Sequence, residues 1–323
     1  METIYLYHPH SYTKNDLPET VIALGYFDGV HRGHQKVIKA AKAEAEKRRA
    51  DCAVMTFHPH PKSVLSSKVN EEDMKYITPM PDKESEMKRL GVDRLYIVNF
   101  DLTFAALTPQ EFVDQYLIGL HAVHVVAGFD YSYGRMGKGT METLPFHSRG
   151  QFGQSTVGKL EEKHEKISST LIRTKLTDGE IEDANTLLGR SYKVTGKVVH
   201  GEKRGRTIGF PTANISFSFP YVYPALGVYA VSLKVGQNVY DGVCNVGYKP
   251  TFHKERKGEP NIEVHLFSFD KDIYEEEVEV IWHKRIRHEK KFSSVDDLVK
   301  QIEKDKQEAE HFFKEEKSRA PSK

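Results

Sequence analysis

VIALGYFDGVHRGHQKVI, residues 21–38, decides the reading of the first half of the chain. An apolar run stops at Gly25, a helix-forming sequence starts near Gln35, and the handover carries Asp28, three glycines and two histidines three apart. A continuous apolar run followed by an amphipathic helix reads as a buried strand feeding a crossover helix, and parallel sheets bind ligands at the carboxyl ends of their strands. At a helix start the backbone N–H groups lack partners and the helix dipole favours anions. Gly29 and Gly33 let a phosphate approach the backbone, while His31 and His34 flank it as donors to oxygens that gain charge during reaction. The arrangement suits attack on an α-phosphate with pyrophosphate leaving, and it needs no covalent nucleophile. Two rival readings use the same residues. One is a zinc site completed by His58 and His60 of FHPHP (57–61), which lacks an obvious carboxylate or cysteine. The other is a pair of surface histidines on a solvated first turn.

Outward from this stretch the pattern repeats. Residues 52–57 (CAVMTF), 94–100 (RLYIVNF) and 122–129 (AVHVVAGF) are further apolar runs of strand length, separated by helical patterns. Thr108, Pro109 and Glu111 form an N-cap, a first-turn proline and a capping-box partner for a helix over TPQEFVDQYLIGL (108–120). The expected fold is α/β, with an N-terminal parallel sheet of Rossmann type. After residue 185 the texture changes. YKVTGKVVHG (192–201), GVYAVSLKV (227–235), QNVYDGVCNVGY (237–248), NIEVHLFSF (261–269) and EVEVIWHKRI (277–286) alternate partially and are broken by Gly, Pro and Asn turns, which predicts an antiparallel β-barrel. A last helix is capped by Ser293 or Ser294, with Val295, Leu298, Ile302, Ala309 and Phe312 as its apolar stripe. The expected domains are 1–185 and 186–310, followed by a charged tail over 311–323, with the helical segment 168–190 as the bridge.

Net charge is +1, from 47 basic and 46 acidic side chains, so no overall basic field exists to hold a nucleic acid or a membrane surface. No run approaches the length of a membrane span, and no signal-peptide pattern opens the chain. Cys52 and Cys244 lie in separate apolar segments without metal-ligand spacing, which fits buried thiols in a reducing cytoplasm.

Further motifs carry candidate chemistry. In KISSTLIR (166–173), Ser168, Ser169 and Thr170 precede a helix and can cap it, with Arg173 in its first turn. Beside the first site, this segment would clamp the β- and γ-phosphates of ATP; alone, any capped helix looks similar. The aromatics of GFDYSYGRMGKG (128–139) stack on a flat ring or belong to the core. HGEKRGRTIGFPTAN (200–214) has no Walker pattern, but it is a glycine-rich basic loop feeding a Pro-Thr-Ala-Asn turn. Thr212 and Asn214 offer neutral oxygens suited to a Mg²⁺ that bridges phosphates; the bland alternative is an ordinary turn. Glu263 lies within an apolar strand, where a carboxylate is costly unless it faces a pocket. There it would serve as a general base toward a hydroxyl, or else it lies on a solvent face. Arg287, Lys290 and Phe292 of KRIRHEKKF (284–292) would grip a phosphate and a ring, or end a solvated strand.

Taken together, GYFDGVHRGH, TFHPHP, GFDYSYG, ISSTLIR, GRTIGFPTANI, GVYAV, GVCNVGYKPTF, IEVHLF and RIRHEKKF resemble, in order, the bacterial bifunctional riboflavin kinase/FAD synthetase family, from about residue 20 to 310. The resemblance implies an N-terminal domain that adenylylates FMN to FAD and a C-terminal barrel that phosphorylates riboflavin to FMN, with ATP and Mg²⁺. It implies His31 and His34 at the ATP phosphates, within a nucleotide site of Gly25, Phe27, Asp28, Gly29, Gly33, Asp130, Ser168, Ser169, Thr170 and Arg173. In the kinase half it implies Gly201, Lys203, Gly205, Thr207 and Pro211 at the nucleotide, Thr212 and Asn214 at Mg²⁺, Glu263 as base, and Arg287, Lys290 and Phe292 at the flavin. The sequence departs from the pattern at Tyr26, where Asn is frequent, at His58, where Glu is frequent, and at Lys249, where Arg is common. The expected partners are riboflavin, FMN, FAD and ATP, with no nucleic acid and no membrane; the oligomeric state is left open. Two alternatives are a nucleotidylyltransferase for another acceptor with a binding-only barrel, and a flavin-sensing or nucleic-acid-binding regulator using the two basic loops. The PTAN segment with Glu263 weighs against the first, and the balanced charge against the second.

Overall fold

A computed structural model describes residues 1–201, 205, 208–248 and 258–319. The chain forms two compact units, Met1–Ser169 and Thr170–Lys323.

The first unit is built on strands β1 (Glu2–Leu6), β2 (Thr20–Leu24), β3 (Asp51–His58), β4 (Arg94–Asn99), β5 (Ala122–Gly128) and β6 (Gly153–Val157). They lie in the order β1-β4-β3-β2-β5-β6, every pair parallel. β2 is central and fully buried, and its residues alternate between two cores as the two-residue period of a strand requires. Ile22 and Leu24 join Met55, Tyr96, Phe104 and Phe112 on one face. Val21 and Ala23 join Val54, Leu95 and Ile97 on the other, where helix α1 (Arg32–Arg48) covers them with Val37, Ile38, Ala41 and Ala45. Helix α2 (Met80–Arg89) adds Met87 to that face. The Thr108–Glu111 capping box forms as expected, but the helix that follows passes into a π-helical segment over Val113–Ile118. The sequence reading missed β1 and β6, which are the edges of the sheet, where short, partly polar runs suffice.

In the second unit, β7 (Tyr192–Val199), β8 (Ala213–Phe217), β9 (Gly227–Val235), β10 (Asn238–Gly247), β11 (Asn261–Leu266) and β12 (Glu277–His288) close an antiparallel barrel in the order β7-β8-β11-β10-β9-β12. Buried Trp282 packs edge-on against Tyr229, ring centroids 5.2 Å apart. Helices α3 (Ser169–Asp178) and α4 (Ile181–Leu188) belong with this barrel from Thr170 onward, so the boundary lies at 169/170 and not at 185/186. The reason is a set of polar ties. Asn185 donates to the Trp282 carbonyl (2.9 Å) and accepts from the Tyr192 N–H (2.6 Å), and Arg285 donates to the Asp178 carbonyl at the end of α3 (2.8 Å). The expected tail is also corrected: α5 runs Val295–Arg319, held by buried Ala309 and Phe313 against Val228, Ala230 and Val243. Phe313, not Phe312, is the deeper anchor, Val295 is exposed, and Asp305 is buried within the stripe. Both cysteines are buried free thiols, and burial pushes Cys52 up to about 12.

Candidate functional site

The turn from β2 to α1 is a strained stretch of backbone. Phe27, Gly29 and Val30 have φ of 57°, 85° and 40°, a conformation costly for the bulky Phe27 and the β-branched Val30. The surroundings hold it there. The Asp28 carboxylate, 2% exposed, accepts from the Ile77 and Thr78 N–H groups at 3.1 and 3.0 Å. Gln35 donates to the Val30 carbonyl (2.9 Å), and Ser169 donates to the Asp28 carbonyl (2.8 Å). Phe27 folds back over Gly25, where a Cβ would come within 2.8 Å of its ring. The Phe27 side chain belongs to the core: it is 1% exposed and sets its ring edge-on to His34, centroids 5.2 Å apart.

His31 is the N-cap of α1. Its Nδ1 accepts from the His34 N–H at 3.2 Å, so the neutral ring carries its proton on Nε2 as a donor. The two imidazoles stack at 3.5 Å and 18°. Gly33 also meets a local packing demand. A Cβ there would lie 3.1 Å from the His31 ring, so the glycine makes room for the histidine stack. Gly29 takes a positive φ in the turn, a conformation open to glycine. His60 caps the short helix Pro61–Leu65 through Nδ1 and packs on Tyr26, centroids 4.2 Å apart. Among the described residues, no group of three or more His, Cys, Asp or Glu side chains is placed to hold a metal.

Ser169 of the SST segment meets this turn. Ser169 opens α3 with its hydroxyl on Asp28, Ile167 is buried just before it, and Ser168 stands between them. Thr170 and Arg173 follow on the helix. Asp130, just beyond β5, is exposed and ion-paired with Lys166 at 2.5 Å. A cavity of about 870 Å³ opens at the carboxyl ends of the strands, walled by Tyr26, Phe57, Phe100, Phe104, Tyr131 and Tyr133, with Asp130 on its rim. Tyr131 and Tyr133, after β5, line this cavity, and Tyr133 is also a member of the core. One group was not found from sequence. Lys83, on α2, is 2% exposed and donates to the Tyr26 carbonyl (2.8 Å) and the Thr56 hydroxyl (3.3 Å). Burial lowers it to about 8, against the opposing pull of the Asp28 charge.

In the barrel, PTAN is not a turn. Thr212 precedes β8 and Asn214 lies within it, so their side chains share one face of the chain. β8 pairs with β11, which sets Asn214 opposite Glu263, and β10 sets Asn245 opposite Glu263 on the other side. Glu263, Thr212, Asn245, Arg287, Lys290 and Phe292 all line one cavity of about 340 Å³, closed by Leu298, Ile302 and Asp305 of α5. Thr212 also borders a second cavity of about 290 Å³ lined by Phe269, Asp272 and Tyr274. Two glycines permit close approach here: a Cβ on Gly201 would lie 2.2 Å from the Asn214 amide, and one on Gly205 2.2 Å from the Phe210 carbonyl. The Pro211 carbonyl accepts from His265 Nδ1 (2.8 Å). Arg287 is not a free phosphate grip. Its fork is taken by Asp305 through bonds of 2.8–3.0 Å, while its guanidinium lies 5.7 Å from the Phe292 ring centroid and Lys290 lies 5.8 Å from it. Lys203 and Thr207, and the departure at Lys249, lie outside the described residues.

Comparison with known proteins covers both units. A family model described as FAD synthetase matches residues 13–171, and one described as riboflavin kinase matches residues 188–313. A bifunctional riboflavin kinase/FMN adenylyltransferase of Bacillus subtilis is 52% identical over 97% of this chain and 98% of its own length. The protein of the same description from Listeria monocytogenes is 48% identical over the same shares. A crystal structure from Streptococcus pneumoniae, described as a macrolide-efflux protein, matches with a TM-score of 0.85 and 38% identity over 94% of this chain and 97% of its own. Among the described residues, no helix is long and apolar enough to cross a membrane.

Proposed function

The chain belongs to the bifunctional riboflavin kinase/FMN adenylyltransferase family, and from that premise we propose how its residues divide the two reactions. The C-terminal half phosphorylates riboflavin to FMN and the N-terminal half adenylylates FMN to FAD, each with ATP as donor. The reading of the kinase half rests on one observation above the others: Glu263 lines a cavity with Thr212 at its wall, Asn214 its cross-strand partner and Phe292 and Lys290 beside it. Riboflavin occupies this cavity with its ring against Phe292, and its terminal hydroxyl gives a proton to Glu263 as the oxygen attacks the γ-phosphate and ADP leaves. The nucleotide occupies the neighbouring cavity, which meets the first at Thr212. Thr212 and Asn214 are neutral oxygen donors on one strand face, a set that fits Mg²⁺ retaining waters and phosphate ligands. When bound, the ion neutralises charge on the transferred phosphoryl group.

In the N-terminal half, the FMN ring enters the aromatic cavity and its phosphate oxygen attacks the α-phosphate of ATP. Pyrophosphate leaves as the P–O bond to the β-phosphate breaks. His31 and His34, with the N–H groups that open α1, stabilise the charge that develops. Ser168, Ser169, Thr170 and Arg173 hold the departing phosphates. The substrates and the balanced surface charge support a cytoplasmic enzyme with no nucleic-acid or membrane partner. The test is Glu263→Gln: FMN production falls by about 10²- to 10⁴-fold while FAD formation from supplied FMN continues. Normal kinase turnover in this variant would make Glu263 a structural strand residue.

A further inference from the structure

We propose that Lys83 is a positioning residue for adenylylation: its buried ammonium anchors the Tyr26 peptide and so holds the left-handed turn that presents His31 and His34. Tyr26 is the last residue before that turn. Its carbonyl accepts from Lys83 Nζ at 2.8 Å and from Thr56 at 2.8 Å, and the ammonium lies 4.4 Å from the centroid of the Tyr26 ring. One cation therefore fixes both ends of Tyr26, the peptide that leads into Phe27 and the ring that walls the aromatic cavity. A planar peptide transmits this: with the carbonyl of residue 26 fixed, the N–H of residue 27 is fixed too. The ammonium also adds positive charge behind a turn built to receive anions, and in a buried setting such charge is weakly screened.

A structural lysine is rarely buried so completely, because burial disfavours its charged form. The fold accepts that cost beside the strained turn. The charged or titratable groups around it are Asp28, from the turn itself, His58, from the end of β3, and Tyr26, whose ring faces the ammonium and packs in turn on His60. Asp28 favours the ammonium, and His58 is held below its ordinary range by burial, against the pull of Glu71 and with a smaller push from Lys83, so it stays neutral near pH 8. Lys83 thus loses its charge as pH rises through about 8.

The inference rests on assigning adenylylation to this turn, and the test separates the two. Full-length protein is assayed for FAD formation from FMN and MgATP between pH 7 and 9.5, with FMN formation from riboflavin as the control on the same chain. The wild type shows kcat/KM for ATP falling above about pH 8, because free-enzyme groups govern that ratio. Lys83→Met keeps the length of the stem, lowers kcat/KM about 10- to 100-fold at pH 7.5 and abolishes the alkaline fall. Its kinase rate and melting temperature are not reduced. Wild-type activity and pH profile in Lys83→Met would overturn the inference, as would a wild-type profile flat through pH 8. If Lys83→Met does not fold, the wild-type profile alone decides, compared with the kinase profile measured on the same samples. Failure of the wild type to make any FAD would instead overturn the assignment of the reaction.

Discussion

Replacing Asp305 by Ala removes the carboxylate that Arg287 grips through bonds of 2.9, 3.0 and 2.8 Å, and deprives Gln301 of its acceptor. The Asp305 side chain is 4% exposed and the Arg287 side chain 21%. Breaking a fully buried pair costs about 3–5 kcal/mol, because the remaining charge is left uncompensated. Arg287 keeps a fifth of its surface in water, which screens it, so the cost here is about 2–3 kcal/mol. For a unit of this size, at about 3 °C per kcal/mol, the thermal transition of the barrel falls by roughly 6–9 °C. The functional effect follows from where the pair lies. Asp305 closes the Glu263 cavity together with Leu298 and Ile302, so loosening α5 opens the wall against which the flavin packs. In a full-length assay of FMN production, KM for riboflavin rises more than kcat falls, and FAD formation from supplied FMN is unchanged. Combining Arg287→Met with Asp305→Ala removes the orphaned charge and recovers part of the stability loss. A single Asp305→Ala variant with wild-type melting and riboflavin KM would refute the reasoning.

Three further outcomes follow from single positions. Gly33→Ala gains about 1 kcal/mol of helix propensity but sets a methyl 3.1 Å from the His31 ring; stability changes by less than about 2 kcal/mol while FAD formation drops about 100-fold, and an undiminished rate would show that the histidine stack is not needed. Gly201→Ala drives a methyl into the Asn214 amide, lowers FMN production and leaves FAD formation from FMN intact, so equal loss of both activities would contradict a local effect. Lys83, lowered from 10.5 to about 8 by burial, costs about 3 kcal/mol of stability at pH 7; across pH 8 to 10.5 the unfolded chain holds a proton that the folded chain has released, so this penalty fades as pH rises. Urea unfolding of Lys83→Met at pH 7 should therefore show a protein at least as stable as the wild type, with the gap closing by pH 10, and a markedly less stable variant would contradict this.

Sequence patterns expose whatever obeys a period. The run 21–24 declares its strand because every residue is apolar, and the glycine-histidine turn declares itself because no ordinary strand-to-helix junction needs those residues. The edge strands β1 and β6 escape because few of their residues are buried, two in β1 and none in β6. PTAN escapes because Pro and Asn mimic a turn, yet Pro211 stands two residues before β8 and the pairing with β11 captures Asn214. Lys83 and Asp305 escape for the opposite reason. Each interrupts an amphipathic helix with a charge that a periodic reading assigns to water, and only three-dimensional packing brings it its partner, Tyr26 in one case and Arg287 in the other. Arg287 was readable as a ligand group for the same reason: its partner on α5 lies 18 residues away.

The central claim, two independent phosphate chemistries on one chain, is tested most directly by following labelled ATP. With γ-labelled ATP and riboflavin, label enters the phosphate of FMN; with α-labelled ATP and FMN, label enters the adenylyl half of FAD. Glu263→Gln removes only the first transfer, and His31→Ala with His34→Ala removes only the second, leaving FMN to accumulate. If either folded variant lost both transfers, or if α-label failed to enter FAD in the wild type, the division of labour described for the two halves would be wrong.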